Sequence, residues 1–330
     1  MKGMIITIFL GVILLLSSAV CASAAPHRRG AMIGTPARLL SGHEKTNFEA
    51  SLRDLRYKMG ANLIRWQLVE PDPRSPVVQT WDSYWPWLQS RLEALDQFLP
   101  LCQQLGLRVI IDLHTPPGGC SLESGACTQK IFLDSGMQQR FKEVWNHISR
   151  RYRNNRIVWA YDLCNEPSGT AAPGLKRWND LASEVAAQVR RNDPIHQIII
   201  ESVGASIRTL PSLKPVGTPG VIYSVHIYPN YGLNPNSLYW DTDYLRGALQ
   251  RVKDWQRRNR VQIYVGEFAG LSVADPHYHD FMNNVISLFE EYDWPWTYHA
   301  WREASVWDVE RCPDLRAVPM LRRWFSRNRR

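Results

Sequence analysis

Two glutamates in this chain stand where apolar runs end. Ile157-Val158-Trp159-Ala160-Tyr161-Asp162-Leu163-Cys164 leads into Asn165-Glu166-Pro167, and Val261-Gln262-Ile263-Tyr264-Val265-Gly266 leads into Glu267. Short apolar runs closed by a turn signal read as buried strands, so both carboxylates are expected at the C-terminal ends of strands. Two carboxyl groups held in that way suit cleavage of a glycosidic bond. One protonates the leaving oxygen while the other attacks or assists at the sugar carbon.

Such a pair needs a scaffold that brings distant segments together. Strands are predicted at Ala31 to Gly34, Ala61 to Leu68, Leu107 to Leu113, Arg156 to Leu163, His196 to Glu201, Val221 to Val225, Val261 to Val265 and Trp296 to Ala300. Between and after them, helical patterns run over Asn47 to Met59, Trp81 to Leu105, Met137 to Tyr152, Gly174 to Arg191, Tyr239 to Arg258, Pro276 to Glu291 and Leu315 to Trp324. In the first, Phe48, Leu52, Leu55 and Met59 recur at spacings of three and four, which is one helix face. Gly106 supplies a C-terminal stop to the second. Strands alternating with helices imply a parallel sheet. Eight such units fit a single (β/α)8 TIM barrel, with its active site at the C-terminal ends of the strands, better than an open doubly wound sheet. The weakest unit is Ser202 to Gly220, where Pro211, Pro215 and Pro219 break any long helix. With no repeat, low-complexity segment or linker, residues 25–330 read as one catalytic domain.

In a barrel of this kind the polar residues at strand ends are the informative ones. They include Arg65 in the second strand, His114 after the third, Asn165 and Glu166 after the fourth, His226 and Tyr228 after the sixth, Glu267 after the seventh, and His299-Ala300-Trp301 at the eighth. Each alone is an ordinary structural residue; their recurrence at one end of the strands is not.

This ordered set resembles glycoside hydrolase family 5, the cellulase and mannanase group of (β/α)8 retaining glycosidases. The resemblance spans essentially the whole chain beyond its leader. Members carry Arg, His, Asn, Glu, His, Tyr, Glu and Trp in that order, here matched to Arg65, His114, Asn165, Glu166, His226, Tyr228, Glu267 and Trp301. The resemblance implies Glu166 as general acid/base and Glu267 as nucleophile. Arg65 and Tyr228 are expected to support the Glu267 carboxylate, and Asn165 to hold the sugar 2-hydroxyl. His226 is expected to orient Glu166, His114 to bind sugar hydroxyls, and Trp301 to be the stacking floor on the non-reducing side. No metal and no organic cofactor is required. The Pro116-Pro117-Gly118-Gly119-Cys120 loop and Pro229-Asn230-Tyr231-Gly232 are expected to wall the cleft. Arg302 and Glu303, beside the expected platform, read as a local ion pair.

Composition is consistent with this reading. Of 330 residues 45% are hydrophobic and 21% charged, which is ordinary for a globular enzyme. Fourteen tryptophans are many, and their flat faces suit sugar rings as well as cores. Residues 1–24 read as an export signal: Lys2, the apolar run Met4 to Leu16, and the small residues Ala22-Ser23-Ala24 at the cleavage site. The run is short for a membrane span, so no stable insertion is expected after cleavage, and the protein is expected in the periplasm or outside the cell. Loss of Lys2 takes the net charge from +8 to +7. The arginines at Arg28-Arg29 and between Arg322 and Arg330 read as solvated surface. No nucleic-acid motif accompanies them.

Of the six cysteines, Cys21 lies in the leader. Cys120 and Cys127 bracket a short loop, and export makes a disulfide there plausible. Cys102 and Cys164 read as buried thiols, with Cys312 free to pair with either.

The function expected is that of an exported, monomeric, retaining endo-β-1,4-glucanase acting on an oligo- or polysaccharide. A β-mannanase, a β-1,3-glucanase or a hydrolase of a bacterial exopolysaccharide would use the same chemistry. A non-catalytic glycan-binding barrel is the reading of a different class.

Overall fold

A computed structural model describes residues 27–121, 127–234 and 239–329. The expected leader and its cleavage site lie outside the described residues. The strands are β1 (Arg29–Ile33), β2 (Leu63–Gln67), β3 (Arg108–Asp112), β4 (Cys120–Ser121), β5 (Thr128–Gln129), β6 (Val158–Asp162), β7 (Gln197–Ser206), β8 (Val221–Ile227), β9 (Gln262–Phe268) and β10 (Trp296–Trp301). The helices are α1 (Gly42–Arg53), α2 (Pro76–Gln79), α3 (Trp81–Leu105), α4 (Ser135–Tyr152), α5 (Trp178–Asn192), α6 (Thr242–Asn259), α7 (Tyr278–Glu291) and α8 (Ala317–Ser326).

Eight parallel strands close in the order β1-β10-β9-β8-β7-β6-β3-β2, and β4 and β5 form a separate antiparallel hairpin. The fold is a (β/α)8 TIM barrel. As the prolines of that stretch require, only a short 3-10 turn, Leu210–Ser212, lies between β7 and β8. The first helix changes character along its length. After Arg53 it widens into a π-helical stretch, Asp54–Met59, and stops at Gly60 in a left-handed conformation (φ 98°).

Strand periodicity sorts the side chains. Ile64, Trp66, Val109, Ile111, Ile198, Ile200, Tyr223 and Val225 point outward and pack with the helices in one continuous core. Leu63, Ile110, Ala160, Ile199, Ile222 and Tyr264 point inward and fill the barrel floor. Two residues further along β2, β3, β6 and β7 the inward positions are no longer apolar. They are Arg65, Asp112, Asp162 and Glu201, and all four are fully buried. The barrel is therefore plugged by hydrocarbon below and by charge above.

Two register shifts re-aim side chains at the top of the barrel. Val225 pairs with Val265, but His226 pairs with Glu267, so β9 carries Gly266 as an extra residue. An extra residue reverses the in/out alternation beyond it. Tyr264 and Glu267 thus both face inward, although they are three apart. Gly266 has to be glycine, because a Cβ there would lie 2.6 Å from Ser224 Oγ and 2.9 Å from His226 Nε2. The second shift lies between β1 and β10, where Ala31 pairs with Tyr298 and Ile33 with Trp301.

Candidate active site

Glu267, delivered inward by the bulge, is almost fully buried, and both its oxygens are held. Arg65 Nη1 donates to Oε1 at 2.6 Å, and the Tyr228 hydroxyl donates to Oε2 at 2.6 Å. Burial alone would raise the pKa of this carboxyl. The positive charges of His226 and Arg65 outweigh it and hold the group well below the usual carboxylate range. Glu267 is an ionised, oriented carboxylate in a site that largely excludes water.

Glu166 is the more open partner, with a side chain about a third exposed. It leaves the end of β6 at φ 40°, a left-handed conformation that a non-glycine residue adopts only when its surroundings impose it. Glu201 imposes it here: Oε2 accepts from the Glu166 backbone N–H at 2.7 Å. His226 Nδ1 donates to Glu166 Oε1 at 2.9 Å. Carboxylate oxygens of Glu166 and Glu267 approach to within 4.8 Å of each other, and His226 Nδ1 lies 2.9 Å from Glu166 Oε1 and 3.7 Å from Glu267 Oε2.

His226 is fully buried, and its two ring nitrogens both face carboxylates, Nδ1 toward Glu166 and Nε2 toward Glu201 Oε1 at 3.1 Å. Two acceptors require two donors, so the ring is an imidazolium. Burial would lower its pKa, but Glu201 and Glu267 raise it well above the ordinary histidine value. Arg65 is the other internal cation. It meets Glu267, Glu201 (3.0 Å), Asp162 (2.9 Å) and Asp112 (3.1 Å), and its Nη2 donates to Asn165 Oδ1 at 3.0 Å. Four carboxylates around one guanidinium cannot all be charged at low cost. Asp162 gives way: burial, and then Glu201, push its pKa well above the carboxylate range.

Asn165 gives its oxygen to Arg65, so its Nδ2 donates to His114 Nε2 at 3.3 Å. His114 Nδ1 in turn donates to Asp112 Oδ2 at 2.8 Å. The Cys120–Cys127 disulfide closes the β4–β5 hairpin loop. The hairpin braces the chain after Glu166: Gln129 N donates to Ser168 O at 2.8 Å, and Ser168 Oγ donates to Cys127 O at 2.6 Å. Beside Glu166 a cavity of about 320 Å³ is lined by Glu70, His114, Pro116, Cys120, Cys127 and Asn165. Cys102, Cys164 and Cys312 are free thiols.

Seven of the eight residues matched on sequence converge here; Trp301 does not. Because of the β10 register shift, its ring turns to the outside of the barrel. It is 2% exposed, and its indole N–H donates to Ser51 Oγ at 3.1 Å. The place expected for it above Glu267 is taken by His299, whose Nδ1 lies 2.9 Å from the Tyr228 hydroxyl. Burial pushes the pKa of His299 down, leaving a neutral ring. The Arg302–Glu303 ion pair does not form either. Arg302 pairs with Glu310 at 2.6 Å and Asp54 at 2.9 Å, because β10 ends with the two side chains pointing apart. Glu303 instead accepts from Gln67 Nε2 at 2.9 Å and lies 3.8 Å from His299 Nε2.

Sequence reasoning gave no role to Glu201, Asp112, Asp162 or His299, although His299 stood among the polar strand-end residues. Glu201 was detectable, since Ile198-Ile199-Ile200-Glu201 ends an apolar run just as Glu267 does.

Comparisons with known proteins agree with this geometry. The family model described as Cellulase (glycosyl hydrolase family 5) matches residues 31–305. Endoglucanase C of Acetivibrio thermocellus is 24% identical over 264 residues, covering 66% of this chain and 75% of the relative. Cellodextrinase A of Ruminococcus flavefaciens is 26% identical over 161 residues, covering 48% and 47%. Among solved structures, Pseudomonas stutzeri endoglucanase Cel5A superposes with a TM-score of 0.65 at 17% identity, covering 90% of this chain and 94% of its own. The cellulose synthase subunit Z of Clostridioides difficile gives 0.64 at 19% identity, covering 89% and 99%. At those identities the superpositions speak for the barrel, and the family match for the chemistry. The chain belongs to glycoside hydrolase family 5.

Proposed function

We propose that this glycoside hydrolase is an exported, retaining endo-β-1,4-glucanase that works by double displacement. Glu267 attacks the anomeric carbon while Glu166 protonates the leaving oxygen. Glu166 then takes a proton from the water that frees the sugar from Glu267. The observation that carries the proposal is the approach of the two carboxylates, with oxygens within 4.8 Å. Retaining enzymes hold their carboxyls about 5–5.5 Å apart, whereas inverting ones leave about 6.5–9.5 Å for a water. The split environment supports the same roles. Glu267 is ionised by internal cations, and Glu166 opens to the cleft where a proton can be delivered. Asn165, fixed between Arg65 and His114, is suited to hold the 2-hydroxyl of the reacting sugar. Residues 1–24 would act as the export signal, and the mature enzyme would act as a monomer.

The glucan preference is supported by the endoglucanase names among the relatives. A β-mannanase, a β-1,3-glucanase or a bacterial exopolysaccharide hydrolase would use identical machinery. The test is hydrolysis across carboxymethyl-cellulose, mixed-linkage glucan, glucomannan, mannan, xylan and laminarin. Wild type is run beside Glu166→Ala and Glu267→Ala. One substrate is expected to be cleaved by wild type and by neither variant, with the product formed in the β configuration. An α product would refute retention. Folded wild type inert on every substrate would favour a binding barrel or a rarer polysaccharide.

A further inference from the structure

With Trp301 turned into the outer wall, the site lacks the flat floor expected at the end of β10. We propose that Trp307, on the loop between β10 and α8, is the platform for the sugar on the non-reducing side, with His299 as its inner half. This rests on the glycosidase reading above. The Trp307 ring is 4.6 Å from His299, tilted by 44°, and 6.5 Å from Tyr228. It therefore borders the phenol that donates to the nucleophilic carboxylate. Unlike Trp301, it is partly exposed.

The backbone that carries the ring is anchored. The Tyr298 hydroxyl donates to the Trp307 carbonyl, and Val309 N donates to the Tyr298 oxygen at 2.8 Å. Trp307 N donates to Ala304 O at 3.0 Å, and Val273 N donates to Val306 O at 2.9 Å, which ties the loop to the segment after β9. A stacking platform has to be immobile before the ligand arrives, because ordering it on binding would cost affinity. The same loop carries Glu303, held by Gln67. A pyranose presents an apolar C–H face and a rim of hydroxyls. A partly exposed indole and a held carboxylate acceptor on the same loop offer one surface for each. An imidazole alone covers less of a sugar face than an indole, so the outer ring supplies the missing area.

The experiment compares wild type, Trp307→Ala and Trp307→Phe on 4-nitrophenyl β-cellobioside. Binding is followed by tryptophan fluorescence with cellotetraose in the Glu267→Gln background, or with mannotetraose if mannan proves to be the backbone. Trp307→Ala is expected to lose about tenfold or more in kcat/KM, carried mainly by KM. Trp307→Phe should recover most of that loss, while cellotetraose-induced quenching disappears in both variants. Should Trp307→Ala not fold, the phenylalanine variant decides: a KM near that of wild type with lost quenching supports the platform, and unchanged quenching overturns it. A folded Trp307→Ala with kcat/KM within about twofold of wild type would also overturn it, leaving the glycosidase reading intact. That reading fails separately, through a wild type inert on the whole glycan panel.

Discussion

Replacing Glu201 with glutamine tests whether the buried charge network sets the geometry of the site. The substitution keeps the volume and removes one charge. Oε1 of Glu201 accepts from Arg65 Nη2 and His226 Nε2, and Oε2 accepts from the Glu166 backbone N–H. Glutamine has only one oxygen. With that oxygen toward the cations, its amide faces the Glu166 N–H, donor against donor. With the oxygen toward Glu166, the amide faces Arg65 and the His226 ring. No rotamer satisfies all three donors, and leaving a buried ion pair short of a partner costs about 3–5 kcal/mol. Glu201→Gln should therefore lower the unfolding free energy at pH 7 by about 3–5 kcal/mol, read from denaturant midpoints at an unchanged m-value. It should also remove the leading cause of the raised pKa of His226. The imidazolium would then lose its proton at lower pH, and the alkaline limb of kcat/KM would move down in pH. A loss below about 1 kcal/mol together with an unmoved alkaline limb would refute the reasoning, since that is the range of ordinary surface substitutions.

Other expectations follow from the same geometry. Trp301→Ala should destabilise by about 3–5 kcal/mol, as truncation of a buried tryptophan does, with KM unchanged; a raised KM at constant stability would restore it as the platform. Tyr228→Phe removes one of two hydrogen bonds to Glu267. It should cost about tenfold in kcat and raise the acid limb of the pH profile, because a neutral carboxyl is penalised less once that donor is gone. Stability should also depend on pH from both sides. Glu267 and Glu201 have lowered pKa values, so their contribution is present above the unfolded value of about 4.3 and lost as pH falls through the folded ones. His226 is raised, so its contribution is full below about 6.5 and lost as pH rises through its folded value. Denaturant midpoints should thus peak between about pH 4.3 and 6.5, and a monotonic rise to pH 9 would contradict the imidazolium.

The strand-end residues were legible because a charged or amide side chain closing an apolar run has few places to go but the mouth of a barrel. Glu166 and Glu267 are of that kind. What stayed hidden was parity. Counting by twos from Tyr264 puts Glu267 on the outer face, and counting from Thr297 puts Trp301 on the inner one. Both counts fail at a single extra residue, in β9 and β10 respectively. Such insertions depend on how a strand pairs with its neighbour, which no local pattern records. For the same reason Asp112 and Asp162 gave no sign that they share one guanidinium. Their meeting depends on the stagger of three strands, with Gln67 opposite Asp112 and Asp112 opposite Asp162.

The closing seam of the barrel joins the two ends of the chain. β1 pairs with β10, Arg29 meets Glu290 at 2.6 Å and Asn328 at 3.0 Å, and Trp296 N donates to Arg28 O. A chain emerging from a ribosome or threading a pore presents Arg65, Glu166 and Glu267 well before β10. Until that last strand arrives, the sheet has two open edges, and the internal charges face water instead of one another. Closing the barrel around the site then waits on contacts separated by nearly the full length of the chain, the slowest kind to form. A nascent fragment ending before Trp296 would hold both glutamates and yet be inert.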